Sequence, residues 1–204
     1  MKIAVIGVGN IGRTLGQKWA EKGHTVTYGV RDVNSPKVAS ALSQAAGNVT
    51  AASVEEAAAG GEVVVFAIPG KAMGETVAQL KEQLAGKIVI DAANNVGAAE
   101  MNSLAAFTGN SAEVHYFRAF NSLGWENFAQ PTLEGMQVDL FYCGDSGQAQ
   151  TAVDNLIADI GLRPVYIGGR EQLTAVDSLT RLWFALVMGQ GRGRRLAFKM
   201  LEDK

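Results

Sequence analysis

Short apolar runs rich in β-branched residues alternate along the chain with longer stretches of helical spacing. This alternation is typical of strand–helix–strand crossover units, which build a parallel sheet between two layers of helices. The runs Val63–Phe66 and Ile88–Ile90 contain no polar residue, as expected for strands that are covered on both faces. The pattern predicts an α/β fold with a doubly wound, mostly parallel sheet and a small helical C-terminal part.

The predicted strands lie at Lys2–Ile6, Thr25–Tyr28, Asn48–Ala52, Glu62–Ala67, Lys87–Asp91, Val114–Ala119, Val138–Cys143 and Pro164–Ile167. The predicted helices lie at Ile11–Lys22, Pro36–Ala46, Ser53–Ala59, Gly70–Leu84 and Gln148–Ile160, and Arg170–Lys204 is predicted to be helical except for Gly189–Gly193. No Ser/Pro-rich hinge or charge block marks a domain boundary. We expect either a domain over residues 1–120 with a small C-terminal part over 121–204, or one continuous domain.

The composition excludes several classes of function. With 18 basic and 20 acidic residues, the chain gives no electrostatic reason to expect a nucleic-acid partner. The single cysteine, Cys143, forms no internal disulfide, and the two histidines make a histidine-rich metal centre improbable. The apolar stretch Leu182–Met188 is too short to span a membrane, and Met1–Ile3 runs directly into a strand pattern without a signal peptide. We therefore expect a cytoplasmic protein.

A glycine-rich motif, Gly7-Val8-Gly9-Asn10-Ile11-Gly12, follows the first strand and opens the first helix. In dinucleotide-binding Rossmann folds, the first glycine makes a tight turn, the second lets a pyrophosphate approach the backbone, and the third allows close helix packing. The amides of Asn10 and Ile11 then point at the phosphates from the positive end of the helix. The motif predicts a dinucleotide site in a Rossmann-type domain.

The end of the second strand distinguishes NAD from NADP. An NAD site usually has an acid there for the ribose hydroxyls, but this chain has Val30 followed by Arg31. A guanidinium suits a 2′-phosphate, and Ser35 and Lys37 lie where a second phosphate contact is expected, although Ser35 is explained equally well as a helix cap. The pattern favours NADP(H), with Asp32 either a turn residue or a displaced ribose ligand.

Ligands in doubly wound folds lie across the carboxyl ends of the strands. The stiff apolar loop Ala67-Ile68-Pro69 is suited to packing on a nicotinamide, and Asn94 can hydrogen-bond cofactor or substrate. No triad, lysine–acid pair or carboxylate pair occupies these ends, so we predict no catalytic side chain. Hydride transfer between two redox-active rings fits such a site, because the coenzymes supply the chemistry.

The motifs Gly7–Gly12, Gly23-His24, Gly29-Val30-Arg31 and Ala67–Pro69 together resemble the coenzyme F420-dependent NADP reductase family. The segment Arg118–Phe128 is similar to a block in its bacterial members, and the resemblance covers essentially the whole chain. The archaeal members carry a serine where this chain has Val30.

This resemblance implies hydride exchange between a nicotinamide and a deazaflavin. It places Asn10, Ile11, Arg31 and Ser35 on NADP, Ile68 and Pro69 near its ring, Ala119 beside the cofactor, and Phe120, Asn121, Leu123 and Trp125 in the pocket of the second ring. Phe120 and Trp125 can instead fill the core under a loop. The acceptor can be F420, a flavin or a quinone, and the alternative hypothesis is a non-catalytic NADP(H)-binding sensor or partner module.

The C-terminal segment has an apolar stripe at helical spacing, formed by Leu179, Leu182, Trp183, Leu186 and Val187. Such a stripe packs on the sheet or on a second copy, and we predict a homodimer. Basic residues follow it at Arg192, Arg194, Arg195 and Lys199. They are interpreted as a solvated face, as a site for an anionic coenzyme tail, or as a partner contact.

Overall fold

The computed structural model describes residues 1–108 and 113–203. Its strands are β1 (Lys2–Ile6), β2 (Thr25–Gly29), β3 (Val49–Ala52), β4 (Val63–Phe66), β5 (Ile88–Asp91), β6 (His115–Arg118), β7 (Thr132–Leu133), β8 (Met136–Gln137), β9 (Asp139–Gly144) and β10 (Arg163–Tyr166). Its α-helices are α1 (Asn10–Glu21), α2 (Pro36–Ser43), α3 (Val54–Gly60), α4 (Met73–Gln79), α5 (Leu104–Phe107), α6 (Trp125–Ala129), α7 (Gln148–Asp159) and α8 (Leu173–Phe184).

Eight strands form one sheet in the order β10-β9-β6-β5-β4-β1-β2-β3, and β7 and β8 form a separate hairpin. All neighbours in the large sheet are parallel except β6 and β9, which run antiparallel. The predicted doubly wound, mostly parallel sheet is confirmed. Strands from both sequence segments, 1–120 and 121–204, therefore lie in the same sheet.

The register brings the carboxyl ends of the central strands side by side. Ile6 of β1 pairs with Gly29 of β2 and with Phe66 of β4. Phe66 in turn pairs with Asp91 of β5, and Asp91 with Arg118 of β6. The loops that follow these strands thus share one edge of the sheet, where ligands bind in such folds.

Hydrophobic clusters cover both faces of the sheet. On one face, Leu15 and Trp19 of α1 pack with residues of α2, α6 and α7. On the other face, Met73 and Val77 of α4 pack with residues of α3, α5 and α8. Burial on both faces explains why the central strands carry uninterrupted apolar runs.

The C-terminal segment differs from its prediction. Helix α8 ends in a π-helical turn at Ala185–Gly189, and residues 190–203 form neither helix nor strand. Glycines at 189, 191 and 193 disfavour helix here, and side chains elsewhere take up the backbone groups of this segment. Asn127 and Trp183, for example, both donate to the carbonyl oxygen of Leu196. The prediction of a helix beyond residue 193 is wrong, and we call residues 190–203 the C-terminal strap.

The basic side chains of the strap fasten it to the protein. Arg194 pairs with Glu126 at 2.6 Å, and Lys199 pairs with Asp139 at 2.7 Å. Arg195 donates to the carbonyl oxygens of Gln130 and Thr132. These three cations are therefore engaged within the chain instead of forming a solvated basic face.

The apolar stripe of α8 is divided between core and surface. Trp183 and Val187 are buried, whereas Leu182 is 47% exposed and Met188, in the π-helical turn, is 63% exposed. Within the described residues, no helix has the length and apolar character needed to cross a membrane.

Candidate functional site

The turn after β1 is built so that only glycine fits at two positions. Gly7 has a φ of +102°, and a Cβ there would lie 2.7 Å from the carbonyl oxygen of Ala67. A Cβ on Gly12 would lie 2.2 Å from the carbonyl oxygen of Gly7. Both glycines therefore serve the protein's own packing, by bringing α1 and the loop after β4 against the turn.

Gly9 differs from these two glycines because neither its backbone conformation nor the packing of the described residues requires a glycine there. Its φ is −70°, which any residue adopts, and no described atom lies within 4 Å of a Cβ built there. Gly9 is also the N-cap of α1, a helix whose first turn has no capping side chain and no acidic residue. Open space beside uncapped helix amides is the arrangement that receives a phosphate group.

A cleft of about 630 Å³ opens in front of this turn. Its walls come from the loops after β1, β2 and β4 and from α4. They comprise Ile6, Gly7, Val8, Gly9, Gly29, Val30, Arg31, Asp32, Ser35, Lys37, Val54, Ala67, Ile68, Pro69, Lys71, Ala72, Glu75, Thr76 and Gln79. We call it the main cleft. Its size suits a nucleotide cofactor.

The corner of the main cleft after β2 is cationic. Arg31 and Lys37 are exposed, and within the described residues neither side chain forms an ion pair. Asp32 also lines the cleft, and its Oδ1 accepts from the amide of Asn34 at 3.0 Å. Ser35 is the N-cap of α2, but its hydroxyl makes no capping hydrogen bond and lines the cleft instead.

A buried polar network lies beyond the loop after β4, at the ends of β5 and β6. Arg118 has no exposed surface and pairs with Asp91 at 3.3 Å and with Asp177 of α8 at 3.0 Å. Its guanidinium also donates to Asn94 Oδ1 at 2.6 Å, and Asn94 Nδ2 donates to the carbonyl oxygen of Asn121 at 3.0 Å. Burial raises the pKa of Asp91, against the opposing effect of Arg118. Both ends of the Asn94 amide are thus engaged within the protein.

The loop after β6 contains most of the residues predicted for the second ring. Ala119, Asn121 and Leu123 are buried, and none of them lines the main cleft. Asn121 Nδ2 donates to Thr180 Oγ1 at 2.7 Å, while its Oδ1 is buried without a described partner. The loop is therefore held against α8 at the same sheet edge as the main cleft.

Phe120 lies in the core, contrary to the prediction that it faces a ligand. Its ring has no exposed surface and packs edge-on against Trp19 and Phe128. Its φ of +63° is rare for a bulky residue and turns the ring inward below the loop. Trp125, at the start of α6, is only partly buried.

The predicted residues therefore form two groups. Gly7, Gly9, Val30, Arg31, Ser35, Ala67, Ile68 and Pro69 line the main cleft, and Asn10 lines an adjoining one. Gly12 is buried behind the turn, and Ile11 packs partly against the core. Asn94, Ala119, Phe120, Asn121, Leu123 and Trp125 belong to the loops and helix beside α8.

Comparison with known proteins shows which family the chain resembles. The family model described as NADP oxidoreductase, coenzyme F420-dependent, matches residues 2–95. The F420-dependent NADP reductase of Methanothermobacter thermautotrophicus is 29% identical over 203 residues, which cover 89% of this chain and 87% of the relative. These matches confirm the resemblance of the chain to the coenzyme F420-dependent NADP reductases.

Further proteins are similar to this chain. A crystal structure from Arthrobacter sp. FB24, whose name assigns it to the F420-dependent NADP reductases, superimposes with a TM-score of 0.78 at 26% identity and covers 95% of this chain and 96% of its own. The metalloreductase STEAP3 of Rattus norvegicus is 26% identical over 87% of this chain but only 36% of its own length. A reductive aminase of Aspergillus terreus, in complex with NADPH, shares the fold with a TM-score of 0.70 at 19% identity, covering 92% of this chain and 62% of its own.

The sequence did not predict that α4 forms one wall of the main cleft. Glu75, Thr76 and Gln79 of α4, together with Ala72 just before it, recur at helical spacing and line the main cleft. This spacing could have predicted the wall, because the helix follows β4 and the carboxyl end of β4 was already assigned to the site. Arg13, which lines the adjoining cleft, was also missed.

Proposed function

We propose that this protein transfers a hydride between NADP(H), bound in the main cleft, and a planar redox acceptor bound beside α6 and α8. The observation that carries the proposal is the open space at Gly9 next to the uncapped first turn of α1. No contact among the described residues explains the absence of a side chain there, whereas a pyrophosphate lying against the backbone would. Asn10 and Ile11 would then donate their amides to it.

We assign the preference for NADP(H) over NAD(H) to Arg31 and Lys37 in the cationic corner of the main cleft. Arg31 and Lys37 line the cleft without an ion-pair partner among the described residues, and the Ser35 hydroxyl is free of capping. A 2′-phosphate would satisfy these donors, because guanidinium groups bind phosphate oxygens in pairs. Val30, which is apolar and 9% exposed, offers no acceptor to a ribose hydroxyl.

The apolar loop after β4 is assigned to the nicotinamide end. Ile68 and Pro69 both line the cleft; Ile68 is half-buried and Pro69 is exposed. They therefore present carbon surface to a flat ring. When bound, the nicotinamide supplies the hydride itself. The protein's contribution is to hold the two rings in contact and to exclude water.

The acceptor is proposed to bind where Asn121, Leu123 and Trp125 meet the edge of the sheet. Trp125 keeps surface on which a planar acceptor can stack. The acceptors that we propose are deazaflavin F420, by kinship with the Methanothermobacter reductase, or a flavin or quinone of similar shape.

The decisive experiment is a turnover assay with a panel of acceptors. Purified protein is mixed with NADPH and, separately, with F420, FMN or a quinone, and loss of the reduced-nicotinamide absorbance is recorded. We expect oxidation with at least one ring acceptor. Tight NADPH binding without oxidation by any of them would contradict the enzyme proposal and favour a sensor of cofactor state.

A glycine pair provides the matched control for cofactor binding. Gly9→Val fills space that no described atom of the protein occupies, so the variant should keep its melting temperature within a few degrees and lose NADPH affinity. Gly74→Val adds the same side chain on the exposed side of α4, where a Cβ also meets nothing within 4 Å. It should leave NADPH affinity unchanged.

We also propose a cytoplasmic homodimer. Leu182 and Met188 expose apolar surface at the C-terminal end of α8, which a second copy would cover. Sedimentation at micromolar concentration should show a species of twice the 21.5 kDa chain mass. A species of 21.5 kDa alone would contradict the dimer.

A further inference from the structure

A second cleft of about 310 Å³ adjoins the main cleft on the far side of the glycine turn. It is lined by Val8, Gly9, Asn10, Arg13, Pro36, Lys37 and Ser40. Val8, Gly9 and Lys37 line both clefts, so the two clefts meet at these residues. The second cleft lies between the first turns of α1 and α2 and ends next to the cationic corner.

Arg13 lines this second cleft, and two hydrogen bonds hold its backbone in place. Its amide donates to the carbonyl oxygen of Gly9 at 2.9 Å, which places it on the helix face one turn below Gly9. Its own carbonyl oxygen accepts from the Tyr28 hydroxyl at 3.1 Å. Gly16 leaves room for that tyrosine, because a Cβ there would lie 2.6 Å from the hydroxyl oxygen. Tyr28 lies three residues before Arg31, so this hydrogen bond joins the backbone of α1 to the segment that carries Arg31.

The charge of Arg13 is not used within the described part of the protein. Six of the nine arginines donate a side-chain hydrogen bond there: Arg118, Arg163, Arg170, Arg181, Arg194 and Arg195. Arg13, Arg31 and Arg192 donate none among the described residues, and the first two line the adjoining clefts. The lining of the second cleft carries Arg13 and Lys37 and no carboxylate.

From this arrangement we infer that Arg13 binds the 2′-phosphate of NADP(H), together with Arg31 and Lys37, and is a further determinant of cofactor specificity. The inference rests on the proposed function. A phosphate group with about two negative charges and three acceptor oxygens matches a site formed by two guanidinium groups and one ammonium group. Arg13 would contact it from α1, and Arg31 and Lys37 from the segment after β2.

The test measures binding, without turnover, by titration calorimetry at fixed ionic strength. The ligands are NADPH, NADH, adenosine 2′,5′-bisphosphate and adenosine 5′-monophosphate, so that each pair differs in the 2′-phosphate. The proteins are the unchanged chain, Arg13→Ala, Arg31→Ala and Lys18→Ala. Lys18 lies on the same helix outside both clefts and serves as the charge-matched control.

We expect Arg13→Ala to weaken binding of NADPH and adenosine 2′,5′-bisphosphate by roughly tenfold or more. Affinity for NADH and adenosine 5′-monophosphate should stay within about twofold, because these ligands lack the group that Arg13 contacts. Lys18→Ala should change none of the four affinities, and Arg13→Lys should restore part of the loss. Alanine is a good helix former, so melting temperatures should be preserved.

The outcomes separate the inference from the function on which it rests. Unchanged NADPH affinity in Arg13→Ala, with a loss in Arg31→Ala, overturns the role of Arg13 and leaves the proposed function intact. An equal loss for NADH and NADPH also overturns it, since Arg13 would then act on a part common to both cofactors. Failure of the unchanged chain to bind any of the ligands would instead contradict the proposed function.

Discussion

The Nε atom of Arg118 lies 3.0 Å from Oδ1 of Asp177, and both side chains are almost completely shielded from water. The pair joins β6, whose carboxyl end lies at the edge of the site, to α8. Arg118 also donates to carbonyl oxygens of Asp91 and Ala93, so one buried cation holds the loop after β5 as well. This ion pair therefore fixes β6, the loop after β5 and α8 to one another next to the region assigned to the acceptor.

We expect Asp177→Ala to lower the free energy of unfolding by about 3–5 kcal/mol, because it leaves Arg118 with a buried, undercompensated charge. Asp177 also accepts from the backbone and side chain of Asn102, and both of these donors would lose their partner. Urea unfolding measures the change. Ser178→Ala, at an exposed position of the same helix, is the control and should shift stability by less than about 0.5 kcal/mol.

Arg31 is predicted to control the choice of cofactor. The unchanged chain should bind NADPH at least about tenfold more tightly than NADH, since a charge-assisted hydrogen bond contributes roughly 1.5–3 kcal/mol. Arg31→Ala should remove most of that difference, as measured by fluorescence titration. Equal affinities for the two cofactors in the unchanged chain would contradict the assignment and make Asp32 the ribose ligand.

Two neighbouring aromatic residues should respond differently to truncation. Phe120→Ala removes a fully buried ring from between Trp19 and Phe128 and should cost about 3–5 kcal/mol of stability. Trp125→Ala removes a partly exposed ring and should weaken acceptor use while NADPH affinity and most of the stability remain. Thermal melting and steady-state kinetics on both variants make the comparison. If Trp125→Ala melts as early as Phe120→Ala and its folded fraction turns over normally, Trp125 is a core residue.

Acid should loosen the C-terminal strap through Asp139. Burial alone raises the pKa of this carboxyl, but hydrogen bonds from Arg163, Lys199 and the amide of Met200 outweigh burial and hold the pKa below its ordinary value. A carboxyl with a lowered pKa stabilises the folded state above its unfolded pKa of about 4, and this contribution is lost as the pH falls through the folded value.

The stability difference between the unchanged chain and Asp139→Asn should therefore be largest near neutral pH and shrink between about pH 5 and pH 3. Urea unfolding across this range measures it. Asp203→Asn, at an exposed position of the same strap, is the control and should show no such dependence. A difference independent of pH would show that the carboxylate charge does not hold the strap.

The parts of the fold that follow from local rules were predictable. The turn at Gly7 and Gly12 depends on backbone geometry within a few residues, and the apolar runs mark the central strands directly. Arg118 illustrates what was not predictable. An arginine at the end of a strand is usually solvated, and only the fold brings Asp91 and Asp177 to it from distant parts of the chain.

The C-terminal strap and Phe120 illustrate the same limit. Helical spacing predicted a longer C-terminal helix, but the side chains of Asn127 and Trp183 bind the strap backbone and outweigh that local preference. Phe120 follows a strand at the site edge, where sequence order suggests a ligand contact. Its positive φ, which no sequence pattern indicated, turns it into the core.

The antiparallel strand β9 also protects the protein from self-association through β6. Without β9, the free edge of β6 would expose unpaired amides and carbonyls that template pairing with another chain. Placing β9 there moves the edge to β10, where Pro164 lacks an amide hydrogen and Arg163 adds a charge. A chain ending before Val138 would therefore keep every strand that lines the main cleft and still be prone to aggregate.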